Sequence, residues 1–296
     1  MFLVVASGGQ VDFAVGKACD YQPPEAASGR AVCRWQRTHD PEVVTELDAV
    51  AGFSEIVPDT VVFDDFERFA PTAATVSSSL LLGIAGLPDT KFKSAIDTAL
   101  ADGECNALEK LRTGCPVTSP SFAQAAAAAQ AGASVVQIFV GRLRDWARNH
   151  SGDPEIDEAL KKGEDAGLAL AKKVYAYIHR NGYKTKLMVA AIRNKQDVFS
   201  LLGIDYIIAP LKILQSLEES VTDPDVKYGY VPKLTPAFGK TYNFTEEELV
   251  KWDQLSLSAA MGPAAEELLA SGLEGYVNQA RRVEELFGKI WPPPNV

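Results

Sequence analysis

Histidine and cysteine are scarce in this chain of 296 residues, which holds three of the first and four of the second. Cys19, Cys33, Cys105 and Cys115 show no C-x-x-C spacing, and His39, His150 and His179 are scattered. No zinc site is expected from such a set, and no other metal centre is indicated. The cysteine count suits a reducing compartment better than a disulfide scaffold. Positive charge is also short: 29 Lys and Arg face 39 Asp and Glu, a formal net charge of -10. An acidic surface repels phosphate backbones, so a nucleic-acid partner is not expected. A few arginines gathered in one pocket can still override that field for a small phosphorylated ligand. No apolar run approaches the roughly 18 residues of a membrane span, which argues against a membrane partner. The apolar start, MFLVVASGGQVDFAVGKACD, lacks the basic opening of a signal peptide and contains Asp12 and Asp20. Finally, no G-x-G-x-x-G or Walker-type loop follows any predicted strand, which disfavours a dinucleotide-binding open sheet.

What is present is enough apolar material, 47% of residues, for one large α/β domain or two small ones. Residues 1–40 mix short apolar runs with Gly, Pro and Ser and are assigned low order. From Pro41 the pattern turns helical, with Val43, Val44, Leu47, Val50 and Ala51 on one face and Asp40 as N-cap. TVVFDD (60–65) reads as a buried strand and TVSSSLLLG (75–83) as a weaker one. A helix is expected from about Pro88 to Arg112. Pro116 and Pro120 demote the segment 113–122 as a strand. FAQAAAAAQAG (122–132) reads as a helix closed by Gly132, and ASVVQIFVG (133–141) is the clearest strand in the chain. Residues 163–182 read as a helix, KLMVAAI (186–192) as a strand, KQDVFSLLG (195–203) as a helix and DYIIAP (205–210) as a strand. Another helix begins at Leu211, and residues 245–290 are largely helical.

Alternation of strand and helix with short loops is the pattern of a parallel α/β sheet. With no phosphate loop, a (β/α) barrel is preferred, and barrels keep their reacting groups at the C-terminal ends of the strands. Three such ends carry unexpected polarity. VVF ends in Asp64 and Asp65, IFVG ends in Arg142, and VAAI ends in Arg193 and Asn194. In a barrel the three would meet at one mouth, where two arginines from neighbouring strands could fork onto one phosphate. Each could equally be a solvated loop residue. Asp145 and Trp146 read as helix-start residues, and the histidines as surface or packing residues.

The stretch SFAQAAAAAQAGASVVQIFVGRLRDW closely resembles the transaldolase family around its sixth barrel strand. AAIRNKQDVFSLLGIDYIIAPLKILQSL resembles that family's seventh and eighth strands, and VVFDDFERFAPTAATVSSSLLL its first two. The resemblance covers about residues 41–112 and 117–290, with wording closest to transaldolase-like proteins of plants. It implies a class I aldolase-type (β/α)8 TIM barrel. The implied activity is a transferase that moves a dihydroxyacetone unit between sugar phosphates in the pentose phosphate pathway. Its implied chemistry is a lysine Schiff base, with no organic cofactor and no metal. By resemblance, Asp64 matches a proton-handling aspartate, Thr118 a threonine that positions a water, and Arg142 and Arg193 the arginines that grip the substrate phosphate. The implied ligands are fructose 6-phosphate, sedoheptulose 7-phosphate, erythrose 4-phosphate and glyceraldehyde 3-phosphate. A homo-oligomer is compatible with this, as is a plastid or cytoplasmic location.

The chain departs from the family where chemistry is at stake. Between Gly83 and Cys115 there are only about thirty residues, where the family carries two βα units with a strand-three glutamate and the Schiff-base lysine. Its Ser-Thr-Glu-Val-Asp stretch is missing from this sequence. Its Thr-Asn-Pro reads Val76-Ser77-Ser78, and its strand-six serine reads Gln137. Lys91 and Lys93 fall in a helix, Lys186 precedes its strand, and Lys212 is the one lysine placed at the mouth. The reading is therefore a barrel with about six of eight strands over residues 41–296, shortened between about 84 and 120. Its function is transaldolase-like, with activity impaired by the missing lysine. The alternative is a non-catalytic phosphosugar-binding or interaction protein. A third reading is an aldolase rescued by Lys212.

Overall fold

The computed structural model describes residues 2–5, 44–60, 62–69, 71, 73–84, 117–150, 165–222 and 230–290. The helix expected over 88–112, its lysines and all four cysteines lie outside these residues. The described elements fall into two units. One holds a two-stranded antiparallel sheet of β1 (Phe2–Val5) and β3 (Ala73–Val76), with helices α2 (Phe63–Phe69) and α3 (Ser78–Ile84) and the later part of the C-terminal helix. The other holds a five-stranded parallel sheet of β2 (Glu55–Pro58), β4 (Val117–Thr118), β5 (Val135–Phe139), β6 (Lys186–Ala190) and β7 (Tyr206–Ala209).

The strand order in the parallel sheet is β2-β7-β6-β5-β4. Four strands follow one another in chain order, and the last, β7, then pairs with the earliest, β2. A last strand that returns to the first is the mark of barrel closure. These strands form a five-strand arc of a (β/α)8 barrel.

Several boundaries move from the sequence-based expectation, each for a local reason. TVVFDD is not a strand. The Thr60 hydroxyl accepts the Val62 N–H at 3.1 Å and donates to Asp65 at 2.7 Å, which turns the chain into α2. Asp64 and Asp65 then sit in the first turn of that helix, where carboxylates suit the positive dipole end. The strand lies five residues earlier, at EIVP. In TVSSSLLLG, Ser77 Oγ accepts the Leu80 N–H at 3.2 Å, so the serines begin α3 and only the first residues extend β3. The N-terminal segment assigned low order contributes β1, whose FLVV pairs with β3 from Phe2–Val76 to Val5–Ala73. The early helix, α1 (Glu46–Ala51), begins at Thr45 rather than Asp40, because Thr45 and Asp48 form a reciprocal capping box.

The central elements fall where the patterns put them. These are α4 (Phe122–Gln130), α5 (Val140–Asn149), α6 (Ala166–Arg180), α7 (Lys195–Ser200) and α8 (Leu211–Glu219). Ser121 caps α4, and its alanines Ala123, Ala125, Ala126 and Ala129 are buried. Asp165 caps α6, which packs against α4, α5 and α9 (Pro236–Thr241). Helices α10 (Gln254–Ala260) and α11 (Gly262–Ile290) close the chain. The core of this unit is aliphatic: Val136, Ile138, Leu187, Val189, Ile207, Leu202 and Leu214 are fully buried. At the turn before β7, Gly203 has φ +103°, and an added Cβ would collide with the Leu234 carbonyl. Only glycine combines that conformation with that approach.

Gln130 ties the C-terminal segment down. Its amide donates to Tyr177 Oη and the Val250 carbonyl, both at 2.8 Å, and accepts the Trp252 N–H at 2.9 Å. His179, whose ring lies tilted against Tyr175 with centres 4.1 Å apart, is held below its ordinary pKa by burial. The unfolded chain therefore takes up a proton that the native chain resists as pH falls below about 6.5. Stability is expected to drop through that window. His179→Gln should flatten the drop in denaturant titrations compared between pH 7.5 and pH 5.5.

Candidate functional site

All five parallel strands point the same way, so their C-terminal ends lie on one edge of the sheet. Read along the strand order, that edge carries Asp59 after β2, Lys212 after β7, Arg193 after β6, Arg142 after β5 and Thr118 at the end of β4. Register sets Thr118 beside Gln137, which continues in one row through Met188, Tyr206 and Glu55. The next row, Ile138, Val189, Ile207 and Ile56, is wholly apolar. Side chains alternate between faces along a strand, so one face of the sheet bears Thr118, Gln137 and Glu55 and the other is aliphatic.

Strand β5 passes into α5 with no intervening loop: Phe139 ends the strand and Val140 begins the helix. No side chain caps that helix start. The first N–H groups of α5, which have no intrahelical acceptors, thus emerge at the strand-end edge, where an anion could receive them. Arg142 lies in this first turn. Its side chain is exposed, and its guanidinium covers the Phe139 ring at 4.4 Å from the centroid.

Arg193 approaches from the neighbouring strand. After β6 the backbone passes through Ala191, a non-glycine residue at φ 60°. This left-handed conformation is costly for alanine and concentrates at functional sites. It turns the Ala191 carbonyl onto Gly141. A Cβ at Gly141 would collide with that carbonyl and lie 2.8 Å from Arg193 Nε. The absence of a side chain at Gly141 is what lets the two strand ends lie against each other. Arg193 donates to Asp145 Oδ2 at 2.8 Å, with both side chains about half exposed. Asp145, expected only to favour the helix dipole, is an ion-pair partner across the strand ends.

Beneath this surface lies a buried cluster that the sequence reading missed. Arg144 reaches Asp197 with two nitrogens, at 2.7 and 3.2 Å, and donates through Nε to Asp165. Arg144 and Asp197 are only 11% and 5% exposed. Asp197 also accepts the Arg193 backbone N–H at 2.9 Å. The hydrogen bond to Asp197 raises the Arg144 pKa, against the effect of burial and with further help from Asp165. No spacing rule flags this cluster, because its members come from three elements.

The expected site residues therefore divide. Arg142, Arg193 and Thr118 lie at the ends of parallel strands, and the two arginines occupy adjacent ones. Asp64 does not end a strand; it sits exposed in the first turn of α2, in the other unit. The carboxylate that does end a strand of this sheet is Asp59, whose N–H extends the β2–β7 ladder to the Ala209 carbonyl at 3.0 Å. Asp59 keeps an exposed surface, while protein around the carboxyl excludes solvent and pushes its pKa above the ordinary value. The signal for Asp59 was available in EIVPD, an apolar run ending in a carboxylate, but TVVFDD offered the same pattern more strongly. Lys212 is exposed at the start of α8, and Lys186 pairs with Asp205 at 2.7 Å at the opposite end of β6. Among the described residues no group of His, Cys, Asp and Glu could hold a metal ion.

The family model described as transaldolase/fructose-6-phosphate aldolase matches residues 105–287, more than half of the chain. The chain belongs to this family. Two curated relatives, transaldolases of Prochlorococcus marinus strains NATL1A and NATL2A, are 32% and 31% identical to it over 180 residues. The match covers 60% of this chain and 50% of each relative, so the chain spans about half the length of the curated relatives it matches. The family match takes in β4 to β7 and with them Thr118, Arg142 and Arg193. In this transaldolase-family chain, Gly141→Ala is expected to cost about 3 kcal/mol in unfolding free energy, the scale of overpacking added to a displaced backbone. Urea unfolding of the variant measures it, and wild-type stability would show that the strand ends can part without cost.

Proposed function

We propose that this chain binds a sugar phosphate by its phosphate group at the β5–β6 strand ends, as a transaldolase-type protein with impaired turnover. The observation that carries this reading is the pairing of Arg142 and Arg193 on adjacent parallel strands, next to an uncapped helix start. Two guanidinium groups and free backbone N–H groups suit a dianionic phosphate ester. The ligands that fit are the sugar phosphates of the pentose phosphate pathway: fructose 6-phosphate, sedoheptulose 7-phosphate, erythrose 4-phosphate and glyceraldehyde 3-phosphate.

For the chemistry we assign Thr118 to water positioning and Asp59, rather than Asp64, to proton handling. An aspartate with a raised pKa at the edge of the sheet suits that second role. Schiff-base chemistry needs a neutral lysine, whose amine attacks the ketose carbonyl and whose iminium then accepts the electrons of the breaking carbon–carbon bond. The lysine-bearing motif is missing from the sequence, and Lys212 is an exposed helix-start residue. We attribute the loss to a shortening of the barrel between about residues 84 and 120, by two βα units. The remainder of 41–296 is then read as one barrel domain that resembles plant transaldolase-like proteins, with a homo-oligomer as a compatible assembly.

Calorimetry with fructose 6-phosphate and with fructose tests the binding claim. The phosphate ester should bind and the free sugar should not, and Arg142→Ala should weaken binding at least tenfold, the loss of one charge-assisted contact. Equal binding of the two sugars would eliminate the proposed site. Borohydride reduction in the presence of fructose 6-phosphate should leave no adduct on any lysine. A trapped adduct, located by mass spectrometry, would overturn the claim of impaired turnover, and its loss in Lys212→Ala would identify the substitute amine.

A further inference from the structure

The buried Arg144 cluster has no part in the chemistry above, yet Arg144 lies two residues beyond Arg142, and its partner Asp197 four beyond Arg193. Arg144 shares α5 with Arg142 and Asp145, and its guanidinium is taken up by Asp165 and Asp197. Three segments end on it. Asp165 caps α6, taking the Leu168 N–H at 2.9 Å through one oxygen and Arg144 Nε through the other. Asp197 belongs to α7, whose cap Asn194 accepts the Asp197 N–H at 2.9 Å. The carboxylate of Asp197 then divides its oxygens: Oδ1 takes Arg144 alone, and Oδ2 takes both Arg144 and the Arg193 backbone N–H.

We propose that Arg144 is a positioning residue of the anion site. It fixes the carboxylate that anchors the Arg193 backbone, and so sets phosphate affinity without touching phosphate. This rests on the reading that Arg142 and Arg193 receive the phosphate. The physical argument has two parts. Ala191 at φ 60° holds the β6 exit in a costly conformation, which persists only where neighbours over-determine it. The Arg193 N–H bond to Asp197, two residues on, supplies that constraint directly. In addition, a planar guanidinium bound through two nitrogens restrains a carboxylate in position and rotation, which an ammonium group cannot do.

Charge alone would give the opposite expectation. The cluster of one arginine and two aspartates is net negative, so neutralising Asp197 should draw an anion in if only the field mattered. If positioning matters, Asp197→Asn should repel less and yet bind phosphate worse, because an amide loses one acceptor and points a donor at a donor. The sign of the effect separates the two.

The experiment uses the full chain, with calorimetric titration of inorganic phosphate and of fructose 6-phosphate. Asp197→Asn and Arg144→Lys are each compared with wild type and each combined with Arg193→Ala. Each single variant should weaken both ligands about tenfold. In the Arg193→Ala background the further loss should stay within about twofold, because the effect is routed through Arg193. A purely structural role would lower affinity equally in both backgrounds, and that result, or tighter binding by Asp197→Asn, would overturn the proposal. Hydrogen exchange of the ligand-free protein supplies a second readout. The Arg193 amide should exchange about tenfold faster in both variants while Val189 in β6 stays protected; an unchanged Arg193 amide would also overturn it. Failure of the wild type to bind either ligand, with Arg193 exchange still accelerated in the variants, would instead overturn the anion-site reading and uphold the hold of Arg144 on Arg193.

Discussion

The contact between Gly141 and the Ala191 carbonyl sets the spacing of everything at the strand-end edge. Strand β5 becomes α5 without a loop, so the first turn of that helix must lie directly against the exit of β6. Only a residue without a side chain leaves room there, and the neighbouring backbone still has to adopt a left-handed turn at an alanine. Backbone strain of this sort costs on the order of 1–3 kcal/mol. The surrounding bonds offset it: the β5–β6 ladder from Val135–Lys186 to Phe139–Ala190 on one side, and the Asp197 carboxylate on the other. Arg142 and Arg193 follow adjacent strands that this tight junction holds together.

An acidic chain that gathers three arginines at one junction has to balance them locally. Arg144 is balanced by the buried Asp197 and the partly exposed Asp165, and Arg193 by the half-exposed Asp145. Arg142 rests on the Phe139 ring. The buried pair and the exposed pair differ in kind. A half-exposed pair such as Arg193–Asp145 is worth about 1 kcal/mol or less and can yield to an arriving anion. Breaking a buried, bidentate pair leaves an uncompensated charge and costs about 3–5 kcal/mol. The first suits a residue that exchanges partners on binding, the second a residue that holds still.

On the proposed reading, family membership and catalytic competence separate in this chain. Membership rests on the family match over residues 105–287, which takes in β4 to β7. Competence, by the chemistry proposed above, would depend on a neutral lysine. Binding a phosphate needs only two adjacent strand ends, whereas imine chemistry needs an amine facing the bound sugar across the mouth.

Much of the arc was legible in the sequence. ASVVQIFVG, KLMVAAI and DYIIAP each pair an apolar run with a turn signal at both ends, and nothing local competes with the strand they suggest. Leu211–Glu219 and the alanine helix are equally plain in their periodicity. TVVFDD failed because apolar residues ending in two carboxylates describe a strand end and a helix first turn equally well. The decision belonged to the Thr60 hydroxyl, a tertiary-scale detail of hydrogen bonding that composition does not show. By itself the sequence determined the alternation of elements, the presence of arginines after two strands and the want of a lysine motif, since all of these are properties of neighbouring residues. Only the tertiary structure decided that Asp59 rather than Asp64 ends a strand of the sheet, that FLVV pairs with AATV, and that Arg144, Asp165 and Asp197 share one buried cluster. Those outcomes depend on which hydrogen-bond partners meet in the folded chain, some nearby as at Thr60 and some distant as at Arg144, and apolar patterning encodes neither choice.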